Sequence, residues 1–291
     1  MKYKIEHVTR YEYSEEVSLT QNHARLLPVN FARQICHSSR LVISPAPDYS
    51  TQIRDRFNNL VTIFEVPTQH TVMEVKAISE VEVLKPATMD FLVQQITWES
   101  IREGLRFPPD QEHLDAMPYA IATGLTPFNN DMRQYALVSF TKNRSILDAC
   151  EELIHRIFTD FTFDPQFSTI DTPLERVFEH RKGVCQDFAH VALACLRSIG
   201  LSARYVSGYI ETLPPPGQQK LVGADASHAW ISVFVPTLGW VDFDPTNDLK
   251  PEEQHVVLAV GRDFYDVTPL KGLLFGGGAQ TLAVSVDMTR I

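Results

Sequence analysis

The chain has 291 residues, of which 44% are hydrophobic, and its formal net charge is −10. This length and hydrophobic content allow a sizeable core and favour two domains over one. The acidic balance argues against a nucleic-acid partner, because proteins that bind the phosphate backbone usually present a positive surface.

The four cysteines, Cys36, Cys150, Cys185 and Cys195, are too few to form a disulfide framework in so long a chain. The N-terminus, MKYKIEHVTRYEY, alternates charged and aromatic residues and lacks the apolar region of a secretory signal. No uninterrupted apolar run reaches membrane-spanning length. We therefore expect a soluble, reduced, cytoplasmic protein without a membrane partner.

Residues 1–90 show the pattern of strands. Their N-terminus alternates with a period of two, and the runs RLVIS, LVTIFEV and VMEVKAISEVEVL are separated by turn-prone segments. This pattern predicts an antiparallel β-sandwich or small barrel. Because no nucleophile, base and acid cluster within it, we interpret this domain as a scaffold or docking domain.

From about Phe91 the pattern becomes helical. SILDACEELIHRIF carries one apolar stripe that includes Cys150, which predicts a helix with this thiol in the core. TPLERVFEHRK begins with a capping pattern at Thr172 and is followed by Gly183, which predicts a second helix ending at that glycine.

A third helix is predicted from about Cys185 to Gly200, and strands follow it. ARYVSGYIETL reads as a strand, PPPG as a breaker, and HAWISVFVP with GWVDFDP as a hairpin. The tail, from HVVLAV to TLAVSVDM, is predicted to be further strand. Residues 91–291 are therefore expected to form one α+β catalytic domain, with its core at about 143–265.

Cys185 occupies a position that favours a reactive thiolate. A helix N-terminus carries about half a positive charge and unpaired N–H groups, so a thiol there loses its proton more easily. The backbone N–H of Cys185 can also donate to an oxyanion. Cys195 lies in the middle of the same helix among apolar residues and is expected to be structural.

A thiolate needs a base and a group that orients the base. His228 begins one strand of the predicted hairpin and Asp244 ends the other, so the two become cross-strand neighbours. Asp242 is the alternative acid, because it shares a face with Asp244 but lies two residues deeper. Asp244 is favoured by its position at the strand end, although an Asp before Pro also signals a turn.

The blocks GVCQDFAH, ARYVSGYI and SHAWISVFVPTLGWVDFDPTND resemble, in this order and spacing, the transglutaminase-like cysteine enzymes, in particular their bacterial protease-like branch. MKYKIEHVTRYEYSEEV resembles the N-terminal β domain of that branch, and GRDFYDVTPLKGLLFGGG its C-terminal signature. The resemblance implies a papain-like core in which Cys185 is the nucleophile, His228 the base and Asp244 the orienting acid.

No metal site or cofactor site is expected from the sequence. Cys185, His190 and Cys195 are metal-ligand types, but residues five apart on a helix diverge by roughly 140° and do not converge on one ion. DFDPTND lacks the glycine and terminal glutamate of an EF-hand loop.

The predicted function is thiol-dependent acyl transfer on peptide or isopeptide amide bonds through an acyl-thioester. Hydrolysis of a peptide or protein substrate is the first choice, and glutamine transamidation, which crosslinks proteins, is the second. A non-catalytic binding or assembly module on the same fold is the third alternative. The sequence carries no signal for an oligomeric state.

Overall fold

The computed structural model describes residues 1–31, 33–85, 95–212 and 225–291. The predicted domain boundary at residues 90–91 and the PPPG breaker lie outside the described residues. The strands are β1 (Lys2–Ala24), β2 (Gln34–Ser44), β3 (Tyr49–Arg54), β4 (Leu60–Val66), β5 (His70–Val83), β6 (Thr162–Phe163), β7 (Lys182–Gly183), β8 (Ala203–Ile210), β9 (Ala226–Val235), β10 (Gly239–Phe243), β11 (His255–Gly261), β12 (Leu270–Gly276) and β13 (Gln280–Arg290). The helices are α1 (Trp98–Arg106), α2 (Gln111–Ala116), α3 (Asn130–Ser139), α4 (Ile146–Asp160), α5 (Leu174–His180), α6 (Cys185–Ser198) and α7 (Phe264–Val267).

The long strand β1 organises the N-terminal domain. Its first half pairs with β5 and β13, and its second half pairs with β4 and β12, all antiparallel. The register of β1 against β5 shifts between Glu12 and Val17, so the two halves of β1 belong to two sections of the sheet. Apolar residues of both sections, among them Val17, Phe64 and Val75, pack into one core. The predicted N-terminal antiparallel β domain is confirmed.

The second half of the chain packs helices on an antiparallel sheet with the strand order β10-β9-β8-β11. Helix α6 is buried along nearly its whole length, including its polar residues Asp187, His190 and Arg197. It packs against α3, α4 and α5 and against β8 and β9. The predicted α+β class is confirmed, and so is the hairpin, with Gly239 opposite Val235 and Phe243 opposite Ile231.

The C-terminal strands correct the predicted division of the chain. Residues 91–291 were expected to form one unit, but β12 and β13 pair with β1 in the N-terminal sheet. Strand periodicity identifies a strand but does not reveal its partner, so the sequence could not show this return. Strands β1, β12 and β13 thus belong to the same sheet.

Two side-chain amides join the N-terminal domain to the edge strand β11. The Gln34 amide donates to the Val257 carbonyl at 2.9 Å and accepts from the Val257 N–H at 2.7 Å. Asn59 forms the same pair of bonds with Val260, both at 2.8 Å. These amides supply the hydrogen bonds that a further strand would make and cover the edge.

Within the described ranges, every helix is too short or too polar to cross a membrane.

We predict that Gln34→Ala lowers the free energy of unfolding by about 1–3 kcal/mol, because it leaves buried backbone groups of Val257 without partners. Chemical denaturation followed by circular dichroism measures the change. Gln52→Ala, at an exposed position, is the matched control and should change it by less than about 0.5 kcal/mol. Equal effects of the two substitutions would contradict the role given to Gln34.

Candidate active site

Cys185 is the first residue of α6 and is half-buried, so its sulfur stands at the positive end of the helix. The approach to this position is fixed by β7, which pairs in parallel with β6 through Lys182 and Gly183. A single residue, Val184, therefore separates the helix from this short pair of strands, and it is extended.

Asp187 holds the turn that precedes the nucleophile position. Its Oδ2 accepts the Val184 N–H at 2.8 Å and the Ser168 hydroxyl. Burial raises the pKa of Asp187, while these two hydrogen bonds act in the opposite direction. The carboxylate of Asp187 therefore satisfies a backbone N–H at the start of the helix.

Gly183 is needed here for close approach and does not end the preceding helix. A Cβ at this position would lie 2.5 Å from Oδ2 of Asp187. The prediction that α5 ends at Gly183 was wrong, because Arg181 ends it in the left-handed conformation at φ 54°. The predicted cap at Thr172 was also wrong: Pro173 is the N-cap and makes no side-chain cap bond.

His228 and Asp244 form a buried hydrogen-bonded pair. Nε2 of His228 lies 2.7 Å from Oδ2 of Asp244, and both side chains are at most 5% exposed. Because Nε2 faces the carboxylate, Nδ1 is the ring nitrogen left for the sulfur of Cys185. The structure therefore brings together the three residues that the sequence selected, at the meeting point of α6, β9 and the end of β10.

The loop after β10 fixes the carboxylate. Oδ1 of Asp244 accepts the backbone N–H groups of Thr246 at 2.9 Å and Asn247 at 3.2 Å, and the Asp244 backbone forms a bridge with Leu249. Asp244 thus both forms the turn and faces the histidine. The alternative acid, Asp242, lies opposite Ser232 in β10, and it is Asp244 that bonds to His228.

Two residues that the sequence analysis did not select complete the site. His255 Nε2 lies 3.0 Å from Oδ2 of Asp244, and the side-chain amide of Asn247 donates to the same oxygen at 2.7 Å. This single carboxylate oxygen therefore has three partners. His255 is the polar residue at the start of the otherwise apolar strand β11, and this position was the sequence signal that could have marked it as a site residue.

The hydrogen bonds set the charges of the pair. Burial lowers the pKa of His228, but the bonds to Asp244 and Cys185 outweigh burial and raise it from 6.5 to about 9. Burial raises the pKa of Asp244, but the bonds to His228 and His255 outweigh it and hold that pKa well below its ordinary value. At neutral pH the arrangement is an imidazolium held by a carboxylate.

The other thiols lie in different surroundings. Cys150 and Cys195 are buried in the helical core, and burial raises the pKa of both, that of Cys195 to about 12. Cys36 lies in the N-terminal sheet, where burial also raises its pKa. His190 accepts the Phe264 N–H at 3.2 Å, so it serves as a buried structural histidine.

The ligand atoms of His228, Asp244 and His255 lie within 4.8 Å of one another, so this trio could hold a metal ion. An ion at this point would take the carboxylate oxygen that both rings now share. His228 would then lose the partner that raises its pKa. The expectation that the site works without a metal stays a prediction.

Comparison with known proteins assigns both halves of the chain. Residues 3–82 match the bacterial transglutaminase-like N-terminal region, and residues 135–245 match the transglutaminase-like superfamily. An uncharacterized protein of Mycobacterium tuberculosis is 36% identical over 302 residues, which cover 99% of this chain and 92% of the relative. A protein-glutamine gamma-glutamyltransferase of Pseudomonas aeruginosa is 33% identical over 122 residues, 40% of this chain and 18% of the relative.

A solved structure shares the whole architecture. The crystal structure of a candidate cysteine protease from Cytophaga hutchinsonii superimposes with a TM-score of 0.79 at 19% identity, covering 99% of this chain and 90% of that one. This likeness concerns the fold, including the N-terminal β domain and the helices on the antiparallel sheet. The two matched families and the relative of 36% identity show that the chain belongs to the transglutaminase-like superfamily.

Proposed function

We propose that the protein is a thiol-dependent acyl-transfer enzyme that acts on amide bonds of peptides or proteins, with Cys185 as nucleophile, His228 as base and Asp244 as orienting acid. The observation that carries this proposal is the continuous contact from Cys185 through His228 to Asp244 at the start of a helix. A structural cysteine has no need of a buried, charged histidine beside it.

The first half of the reaction follows from these positions. The Cys185 thiolate attacks the amide carbonyl carbon, a C–S bond forms, and the oxyanion accepts the backbone N–H of Cys185. The His228 imidazolium then gives its proton to the amine nitrogen, the C–N bond breaks and an acyl-thioester remains. One oxyanion donor contributes about 2.7–4 kcal/mol and general acid–base help about 10²–10⁴-fold.

The second half restores the enzyme. Neutral His228 takes a proton from water, the hydroxide attacks the thioester carbonyl, and the C–S bond breaks. The products are a carboxylic acid, the thiolate of Cys185 and the imidazolium of His228. Asp244 keeps its negative charge throughout, because its oxygens have hydrogen-bond donors in every step.

Hydrolysis is our first assignment, and transamidation is the second. The two reactions are identical up to the thioester and differ in whether water or an amine resolves it. Hydrolysis is supported by the Cytophaga hutchinsonii structure, named as a candidate cysteine protease, which covers both domains. Transamidation is supported by the Pseudomonas aeruginosa glutamyltransferase, which matches a shorter part of the chain.

We expect iodoacetamide near neutral pH to alkylate Cys185 faster than the other cysteines. His228→Ala should slow this reaction at least about tenfold, because the imidazolium partner of the thiolate is lost. Peptide mass mapping over time measures each cysteine separately. Cys36→Ser is the matched control and should leave the Cys185 rate unchanged. Alkylation of Cys185 at the rate of an ordinary thiol would favour a non-catalytic binding module.

The choice between water and amine is tested with a glutamine-containing peptide, offered with and without a primary amine. We expect the acid product in both cases, measured by mass, and its loss in Cys185→Ala, since the thioester can then not form. An amine adduct as the main product would instead establish transamidation. Turnover that persists in Cys185→Ala would contradict both assignments.

The raised pKa of His228 predicts a pH-dependent stability. In the folded state the ring binds its proton up to about pH 9, whereas in the unfolded state it releases it near 6.5. The contribution of up to about 3 kcal/mol is therefore full below pH 6.5 and lost as the pH rises through about 9. Urea denaturation across this range should show the decline in the wild type and a flatter profile in His228→Gln. Parallel profiles would rule out the ion pair.

A further inference from the structure

A cavity of about 380 Å³ lies between the N-terminal domain and the catalytic sheet. Its wall includes Phe31 from the N-terminal domain and Arg204, Trp230, Trp240 and His255 from the catalytic half. Among the described residues, neither Cys185 nor His228 lines it. A volume of this size falls in the range of small-molecule sites. The cavity is therefore separate from the nucleophile and large enough for a ligand.

Arg204 projects into this cavity without an ionic partner. The residue is 7% exposed, and its guanidinium lies between the rings of Phe31 at 4.9 Å and Trp240 at 4.3 Å. Its Nε has no hydrogen-bond partner, and among the described residues Arg204 forms no ion pair within 4.0 Å. Burial lowers its pKa to about 10, although Asp242 acts in the opposite direction. A buried arginine is normally paired.

A second buried donor lines the same cavity. The Trp230 side chain is fully buried, and its indole N–H has no acceptor. Indole and guanidinium groups only donate hydrogen bonds, so both require an acceptor. Such buried orphan groups are rare in folded proteins and call for a partner.

We propose that this cavity binds a small carboxylic acid with an aromatic body, whose carboxylate accepts from Arg204 and whose ring packs among Phe31, Trp230 and Trp240. A carboxylate supplies the negative charge and the acceptor oxygens that the two donors lack. The aromatic wall favours a flat apolar body. Asp242, Glu252, Arg33 and Lys250 also line the cavity. Arg33 donates to the carbonyls of Leu84 and Pro251, and Lys250 pairs with Glu151, so these two cations already have partners.

The proposal is tested with sodium benzoate titrated into the full chain by isothermal calorimetry. We expect saturable binding, and binding of the neutral isostere benzamide at least about tenfold weaker, because it lacks the charge that pairs with Arg204. No saturable binding of benzoate, which would mean that the cavity holds only water, overturns the proposal. Equal binding of the acid and the amide overturns it as well.

Arg204→Met should abolish benzoate binding while preserving the fold, because it replaces an unpaired buried cation by an apolar side chain of similar length. The matched control is Arg102→Met, which removes an exposed guanidinium stacked 4.8 Å from the Trp98 ring and should leave binding unchanged. Benzoate binding that survives Arg204→Met contradicts the site.

A crystal structure of the wild type with 4-iodobenzoate gives a result that needs no variant. The anomalous signal of iodine should lie in the cavity, with the carboxylate within hydrogen-bond distance of Arg204. Iodine located only elsewhere overturns the proposal. Because neither calorimetry nor crystallography requires turnover, the result is independent of the reaction proposed for Cys185.

Discussion

The hydrogen bond between Asp244 and His228 is the interaction on which the rest of the site depends. A buried carboxylate is costly unless its oxygens are satisfied, and here two backbone N–H groups, two imidazole rings and one amide satisfy them. These partners hold the carboxylate ionised and in one orientation. The carboxylate in turn holds His228 as an imidazolium facing the helix that begins at Cys185. The proposed chemistry therefore depends on one buried carboxylate whose hydrogen bonds are satisfied.

The N-terminal domain contributes to this arrangement through β11. That strand is the edge of the catalytic sheet and carries His255, one of the partners of Asp244. Gln34 and Asn59 bind its backbone from the N-terminal domain, and β12 and β13, which follow it, pair with β1. The β domain therefore helps to position the site through these hydrogen bonds and through an apolar cluster that includes Tyr3, Tyr209 and Val256.

Much of this arrangement could be predicted from the sequence because its signals are local. Periodicity located α6 and the β9–β10 hairpin. Because Cys185, His228 and Asp244 stand at the ends of these elements, they were predicted to lie close together. The polar position of His255 at the start of β11 marks it as unusual, but its contact with Asp244 was missed because that contact depends on where β11 lies in the sheet. The return of β12 and β13 to β1 was missed for the same reason. Gly183 was misread because a glycine after a helix can serve either a left-handed turn or a close contact, here with Asp187.

The central claim is that His228 is a charged ring held between Asp244 and Cys185. Nitrogen-15 NMR of the histidine rings tests it most directly, with the His228 signals identified by their absence in His228→Gln. The account predicts that both ring nitrogens of His228 carry protons at about pH 7.5 and that one is lost only near pH 9. A His228 ring that is already neutral at about pH 7.5 would contradict the account.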